Sequence, residues 1–346
     1  MIPAPTLEDR AMGALIGAFI GDALALGPHW YYDLDQLHAD HGPWISDYTT
    51  PKPGRYHAGM QAGQLSQSGI LLRLTVQSLV DCAGYDEADF CRRLDDELFP
   101  LLDGTPMNGP GGYTSQSIRE AWRLRVKSAL PWGQVGGNAD TTEAAERTLG
   151  IAIRYALQPA QLAAAVSQNT ALTQTDGTVV AMTVAFGAVL GMLVEGHKLD
   201  AAISPKLMAR VKSGELPFHT VTSGNLQAPQ AGQPEAPTAG RFPSPDALLS
   251  QSSIALAATD PDIHIDPAWK VSLVYGMPCA VYHHFESAVL HAINGGGQNQ
   301  SRAILAGALT GAQTGLSGIP QRFIDGLENS AALLDLAGRL AKQMVA

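Results

Sequence analysis

Residues 11–24 read Ala-Met-Gly-Ala-Leu-Ile-Gly-Ala-Phe-Ile-Gly-Asp-Ala-Leu, an apolar run rich in small residues that contains a single carboxylate, Asp22. Its apolar residues recur at three- and four-residue spacing, which predicts a helix over 7–25. Because Asp22 interrupts the run and small residues occur throughout it, the pattern indicates a core helix and not a membrane span. A second run of this kind covers 178–194. The sequence therefore predicts closely packed helices.

The same helical spacing recurs along most of the 346 residues, and no segment alternates in hydropathy over more than four residues. This pattern predicts an all-α protein, with helices at 7–25, 66–82, 86–99, 114–127, 142–157, 160–169, 177–195, 245–258, 267–281, 284–293, 299–314 and 330–344. Residues 27–65, rich in Pro, Gly, Tyr and Trp, predict a long loop. The Pro-rich residues 213–245 predict a surface excursion. We expect a single domain over 1–346.

The composition excludes several classes of function. Charged residues make up 16% and apolar residues 45% of the chain, which is typical of a folded domain. The net charge is −10 and no basic cluster is longer than the pair Arg92-Arg93, so nucleic-acid binding is not expected. The three cysteines lack the spacing of metal ligands, and the N-terminus lacks the pattern of a signal peptide. We expect a cytoplasmic protein.

Two glycine-led runs, Gly63–Gly69 and Asn294–Gln300, each continue in small or amide side chains and lead into an apolar helix. Neither run contains a carboxylate. Backbone N–H groups at a helix start can bind an anion such as pyrophosphate. The runs therefore predict a ligand pocket, formed by Ser66, Gln67, Ser68, Gly296, Gly297, Gln298, Asn299 and Gln300. The alternative is a pair of glycine-rich helix caps that face solvent.

Further short motifs occur in order along the chain: Ala62-Gly63-Gln64-Leu65, Gly136-Gly137-Asn138-Ala139, Leu172-Thr173-Gln174-Thr175-Asp176, Phe285-Glu286-Ser287-Ala288, Ala292-Ile293-Asn294-Gly295-Gly296, Ala306-Gly307-Ala308-Leu309-Thr310-Gly311-Ala312 and Gly318-Ile319-Pro320. Together with residues 11–24 they resemble the ADP-ribosylglycohydrolase family, which includes the dinitrogenase-reductase-activating enzymes. The resemblance covers roughly residues 8–330. It implies an all-α, ADP-ribosylglycohydrolase-like orthogonal helical bundle.

The resemblance also implies a dinuclear magnesium or manganese site and the cleavage of a glycosidic bond to ADP-ribose. In the family, aspartates of two short runs hold the metals. At those positions this chain has 66–69, Ser-Gln-Ser-Gly, and 297–300, Gly-Gln-Asn-Gln. Hard divalent cations prefer anionic oxygens, which these side chains do not offer. We therefore expect no resident metal cofactor, although a single weak ion held through substrate phosphates stays open.

Other candidate site residues come from composition and from the resemblance. His29, Trp30 and Tyr31 lie in a ring-rich loop that either stacks a ligand ring or anchors the loop. Asp22 is either a site residue or a helix-terminal cap. The resemblance adds the ligand-binding candidates Asn138 and Asp176, and glycoside cleavage ordinarily needs two carboxyl groups. Three residues are candidate catalytic groups for a metal-free reaction, although the two carboxylates are better explained as surface residues: His29, Asp140 and Glu143.

Three functions remain open. The first is a metal-free pocket that binds an ADP-ribose-like nucleotide or an ADP-ribosylated protein without turnover, as a pseudoenzyme does. The second is a metal-independent glycoside hydrolase, and the third is a structural or partner-binding protein that keeps only the fold. Both runs changed together to small and amide residues, which favours the first. Neither the ligand nor the oligomeric state can be predicted from the sequence.

Overall fold

The computed structural model describes residues 4–139, 141–200, 202–217 and 284–344. In these ranges the chain is all-α, as predicted, and its only extended pairing is an isolated bridge between Gly137 and Gln174. The helices are α1 (Leu7–Leu24), α2 (Leu34–His41), α3 (Gln67–Asp81), α4 (Glu87–Arg93), α5 (Gln116–Trp122), α6 (Glu143–Arg154), α7 (Pro159–Ala171), α8 (Gly177–Val194), α9 (Ile203–Ser213), α10 (Phe285–Asn294), α11 (Asn299–Thr314), α12 (Gln321–Asp325) and α13 (Ser330–Gln343).

Helix α1 is the centre of the bundle and packs most extensively against α11. Three glycines on one side of α1 face the α11 backbone. A Cβ atom added to Gly17 would lie 2.3 Å from the carbonyl oxygen of Gly307, and one added to Gly13 would lie 2.4 Å from that of Gly311. The two helices therefore touch backbone to backbone, which no residue larger than glycine permits at these positions.

The remaining core forms around this pair. Helix α10 packs against α11, α3 packs against α6, and α8 packs against α6 and α7. A second, smaller apolar cluster lies between α3, α4 and α5 and includes Phe90, Leu98 and Trp122. In this arrangement the C-terminal end of α1 lies next to the first turns of α3 and α11. The two glycine-led runs therefore come together at one end of the bundle.

The predicted loop over 27–65 contains a helix, which corrects that prediction. Asp33 begins α2, because its side chain accepts hydrogen bonds from the backbone N–H groups of Asp35 and Gln36. The helix buries only Leu37, so its eight residues carry too little apolar periodicity to be recognised.

Two predicted helices are shorter than expected, since α4 and α5 continue as single π-helical turns at Leu94–Leu98 and Arg123–Lys127. Helices α9 and α12 were not predicted. The predicted helices at 245–258 and 267–281 lie outside the described residues, as does the excursion at 213–245 from residue 218 onward. A single domain over 1–346 stays a prediction. None of the described helices has both the length and the hydropathy needed to cross a bilayer.

Candidate functional site

Helix α3 begins at a buried hydrogen-bond network that joins it to α1. Ser66 is its N-cap residue, and the Ser66 hydroxyl accepts from the N–H of Ser68 at 3.1 Å. The same hydroxyl donates to one carboxyl oxygen of Asp22 at 2.5 Å, and the Ser66 N–H donates to the other at 2.8 Å. Asp22 is 1% exposed. Burial raises the pKa of Asp22 to about 7, although the hydrogen bonds from Ser66 lower it.

Helix α11 begins against the segment that follows α1. Asn299 is fully buried, its amide nitrogen lies 3.4 Å from the carbonyl oxygen of Ala25, and its amide oxygen lies 3.2 Å from Nδ1 of His29. The N–H of Gly297 donates to the carbonyl oxygen of Tyr31 at 2.7 Å. Gly296 has a φ of +62°, and a Cβ atom there would lie 2.6 Å from the same carbonyl oxygen. Only glycine fits at Gly296.

Arg302 hydrogen-bonds to the backbone of the second glycine-led run. Its side chain is half-buried and donates from Nη2 to the carbonyl oxygen of Gly296 at 2.7 Å and from Nε to that of Ala292 at 2.8 Å. Burial lowers the pKa of Arg302 to about 10, so the guanidinium remains charged at neutral pH. Its charge also suits the C-terminal end of α10, where it meets the last carbonyl groups.

Five rings pack together beside the starts of the two helices. His29 stacks on Trp30 with ring centroids 5.4 Å apart and planes 9° apart, and Tyr56 and Tyr113 meet the indole of Trp30 edge-on at 4.6 and 4.9 Å. The ring of His57 lies 5.0 Å from that of His29. Of this ring cluster (His29, Trp30, Tyr56, His57 and Tyr113), the sequence indicated only the first two residues.

Both histidines of the ring cluster are neutral at physiological pH. Burial lowers the pKa of His29 well below its ordinary value and lowers that of His57 to about 4. Nδ1 of His57 is hydrogen-bonded to the carbonyl oxygen of Gly111, and this bond, followed by one to the Gln300 side chain, raises the pKa of His57 against the effect of burial. The cluster therefore offers imidazole nitrogens without positive charge.

Several buried donors at this place have no hydrogen-bond partner among the described residues. Gln67 is 1% exposed and its amide oxygen accepts from the N–H of Ser115 at 2.7 Å, which leaves its Nε2 unpaired. Nε2 of Gln300 and Nε1 of Trp30 are unpaired donors as well, and Nε2 of His29, which is the acceptor nitrogen when Nδ1 donates to Asn299, is also unpaired. Native structures leave few buried polar groups unpaired, so this set indicates a place where polar groups of another molecule or water are bound.

The other residues of the predicted pocket contribute less. Ser68 and Gln298 are half-buried, and Gln298 precedes α11 without capping it through its side chain. The Tyr31 ring is turned toward α2, where its hydroxyl donates to Asp40 at 2.7 Å and Arg55 covers the ring at 3.6 Å. Only the backbone carbonyl of Tyr31 reaches the second glycine-led run. A ligand-stacking role for this ring is therefore not supported.

Glu143, one of the two predicted catalytic carboxylates, lies against the start of another helix. One carboxylate oxygen of Glu143 accepts from the N–H of Gln116 at 3.0 Å and the other from that of Ser117 at 2.8 Å, so Glu143 caps the start of α5. Burial raises its pKa, and these hydrogen bonds lower it. Asp140 lies outside the described residues.

Asn138 and Asp176 lie in two adjoining segments that the bridge between Gly137 and Gln174 connects. Asn138 is exposed and its amide oxygen lies 3.5 Å from the hydroxyl of Thr175. Asp176 accepts from the N–H of Val179 at 3.1 Å, in the first turn of α8. Both remain predicted ligand-binding residues.

Comparison with known proteins identifies the scaffold. The sequence model of the ADP-ribosylglycohydrolase family matches residues 3–346. The chain belongs to the ADP-ribosylglycohydrolase family. An uncharacterized protein of Archaeoglobus fulgidus is 22% identical over 341 residues, which are 96% of each chain. A solved structure described as an ADP-ribosylglycohydrolase-related protein complex has the same fold, with a TM-score of 0.63 and 19% identity over 98% of this chain and 99% of the other.

The donors at this site do not fit the two metal ions that the ADP-ribosylglycohydrolase resemblance implied. The described residues contain no group of three or more His, Cys, Asp or Glu side chains arranged to hold a metal ion. Asp22 is the carboxylate hydrogen-bonded to the start of α3, and both of its oxygens accept hydrogen bonds from Ser66. Gln67, Asn299 and Gln300 offer neutral amides, which do not offset the charge of two divalent cations.

Proposed function

We propose that this ADP-ribosylglycohydrolase-family protein has a metal-independent pocket for an ADP-ribose-like nucleotide or a related glycoside. The observation that carries the proposal is the set of unpaired buried donors where α3 and α11 begin, above all Nε2 of Gln67 and Nε2 of Gln300. In a binding role these amides and the adjacent helix N-termini would donate to ribose hydroxyls or phosphate oxygens.

A free aromatic surface supports the same proposal. Trp30 is half-buried and packs against His29, Tyr56 and Tyr113, which favours an anchoring role for that indole. Tyr32 is different, because it is 58% exposed and its ring would lie 3.6 Å from a Cβ atom placed on Gly297. A ligand ring bound beside the second glycine-led run could stack on Tyr32.

The ligand in this proposal is either a free nucleotide or the ADP-ribose group of a modified protein. The second interpretation, metal-independent glycoside hydrolysis, would need an acid and a base. Neutral His29 can accept a proton, whereas Glu143 is already engaged at the start of α5. The structure therefore favours binding over turnover among the described residues.

Thermal denaturation with ADP-ribose, once with magnesium and once with excess EDTA, tests the proposal. A ligand at about 100 times its dissociation constant adds roughly 2.7 kcal/mol of stability. We expect a raised Tm that persists in EDTA and is lost in Gln67→Leu and Gln300→Leu. Gln321→Leu, which changes an exposed glutamine of α12, is the matched control.

The other outcomes separate the remaining interpretations. A Tm increase that needs magnesium would refute the metal-independent pocket. Release of free ADP-ribose from an ADP-ribosylated protein in excess EDTA would establish the metal-independent hydrolase. No change in Tm under either condition would reject ADP-ribose as the ligand and favour a structural role.

A further inference from the structure

A groove lies between α3 and α13, apart from the unpaired donors of the candidate site. Its volume is about 590 Å³, within the range of ligand-binding pockets. Just before the two helices begin, Nε2 of Gln64 donates to Oε1 of Glu328 at 3.0 Å. Near their ends, Asp81 pairs with Arg339 at 3.3 Å. The helices therefore run in the same direction along the two sides of the groove.

The groove has an apolar floor and one end that is closed by ion pairs. Leu333 and Leu336 of α13, which are buried, line the floor. At the closed end, Asp81 pairs with Arg93 at 2.9 Å and with Arg339 at 3.3 Å. The charges at that end are thus compensated within the protein. An apolar floor with a few polar groups around it is typical of small-molecule sites.

Three charged side chains along the rest of the groove take part in no ion pair among the described residues: Arg73, Glu328 and Asp335. The half-buried Arg73 contacts a neutral group, since its Nη1 lies 3.4 Å from Oε1 of Gln77 on the next turn of α3. Glu328 accepts from the neutral amide of Gln64, and Asp335 is exposed. The groove therefore presents one cation and two carboxylates whose charges are not compensated by neighbours.

The parallel helices place these three charges in order along the groove. Arg73 follows Gln64 by nine residues and Asp335 follows Glu328 by seven, so Arg73 and Asp335 lie at similar levels on opposite sides. They form no ion pair within 4 Å, so the groove separates them. At a rise of about 1.5 Å per residue, Glu328 lies about 10 Å from that level, toward the helix starts.

We propose that this groove binds a basic α-amino acid of the lysine class. The guanidinium of Arg73 takes the carboxylate through paired hydrogen bonds, and Asp335 on the opposite side accepts from the α-ammonium group. The four-carbon stem lies along the apolar floor, and its terminal ammonium group donates to Glu328.

Charge complementarity favours this class of ligand over others. One carboxylate and two cationic groups of the ligand match one cation and two carboxylates of the groove. A phosphate or dicarboxylate would meet Glu328 and Asp335 with like charge. The net charge of −10 also attracts a ligand whose own net charge is positive. The proposal does not depend on the proposed function of the candidate site.

Isothermal titration calorimetry of the intact chain with L-lysine tests the proposal. We expect saturable binding of one L-lysine, and Arg73→Met should raise its Kd about tenfold or more, because it removes hydrogen bonds between charged groups. Norleucine, which lacks the terminal ammonium group, should bind about tenfold more weakly than L-lysine to the wild type. In Glu328→Gln this preference for L-lysine should be lost.

The matched control is Arg123→Met, which removes an exposed arginine from the π-helical turn after α5 and should leave the Kd unchanged. No saturable heat with L-lysine, or equal Kd values for wild type and Arg73→Met, would overturn the proposal. Equal affinities of the wild type for L-lysine and norleucine would refute a basic ligand. If Arg73→Met does not fold, Asp335→Asn at its exposed position decides, since it too should raise the Kd for L-lysine.

Discussion

Asp22 carries a proton in the native protein over much of the acidic and neutral range, and this couples its ionisation to folding. Burial raises the pKa of the carboxyl from its ordinary 3.8 to about 7, and the charge of Glu146 adds to the effect. The unfolded chain gives up this proton near pH 4 and the native chain near pH 7. Between these values the native state binds one more proton, so stability falls as the pH rises.

The size of the effect follows from the two pKa values. Each pKa unit corresponds to about 1.4 kcal/mol, so an interval from 3.8 to about 7 corresponds to roughly 4 kcal/mol as an upper limit. This stability is fully present below about pH 4 and is lost as the pH rises through about 7. Other carboxyl groups titrate in the same range, so the Asp22 contribution has to be isolated by a variant.

Asp22→Asn isolates it, because an amide can accept from the Ser66 N–H and donate to the Ser66 hydroxyl without ionising. Urea denaturation from about pH 4 to about pH 8 should show the wild-type free energy of unfolding falling relative to that of the variant by up to roughly 4 kcal/mol. Asp335→Asn, which changes an exposed carboxylate of α13, should follow the wild type. Parallel curves for wild type and Asp22→Asn would refute the reasoning.

Three further substitutions test the packing and the two glycine-led runs. Gly17→Ala should lower the free energy of unfolding by about 1–3 kcal/mol because the new methyl group meets the α11 backbone. Its control is Gly187→Ala, where the nearest atom is 3.4 Å away and the higher helix propensity of alanine should raise the free energy of unfolding by up to about 1 kcal/mol. Equal effects of the two substitutions in calorimetry would contradict the backbone contact. Ser66→Ala removes the N-cap of α3 and should lower the free energy of unfolding by about 1–2 kcal/mol. It should also move the pH at which Asp22 ionises to a higher value, because the hydrogen bonds from Ser66 lower the pKa of Asp22. An unchanged pH dependence of stability would contradict the hydrogen bond between Ser66 and Asp22. Arg302→Met leaves two carbonyl groups unpaired and should cost about 1–3 kcal/mol for each; a wild-type denaturation midpoint would show that the second run holds its shape without it.

Much of the helical architecture could be predicted because its signals are local. The predicted bounds of α11 agree with the structure, and those of α1 and α13 agree within one residue at each end. The close contact of α1 and α11 had a signal that was not used: Gly13, Gly17 and Gly21 recur every four residues, as do Gly307 and Gly311. Helix α2 could not be recognised, since it depends on the Asp33 cap and on tertiary contacts more than on periodicity.

The candidate site was predictable only in part, because its members come from distant segments. The two glycine-led runs were found from their composition, but nothing local in the sequence places His57 and Tyr113 beside His29. The capping role of Glu143 depends on α5, which begins 27 residues earlier in the chain, as the hydrogen bond to Gln116 shows. When the hydrogen-bond partner of a carboxylate is so remote in the chain, the sequence alone does not distinguish a helix-capping carboxylate from a catalytic one.

The contact between α1 and α11 has a consequence for synthesis. Helix α1 leaves the ribosome before α11, yet the backbone groove that accepts its glycines consists of residues 299–314. At 5–20 residues per second, the 290 residues from Ala25 to Thr314 take about 15 to 60 seconds to be made. During that interval the apolar surface of α1 lacks its native partner. The nascent chain therefore depends on chaperones or on provisional contacts until α11 has been made, and a truncation that removes α11 would leave the glycine face of α1 without its native partner.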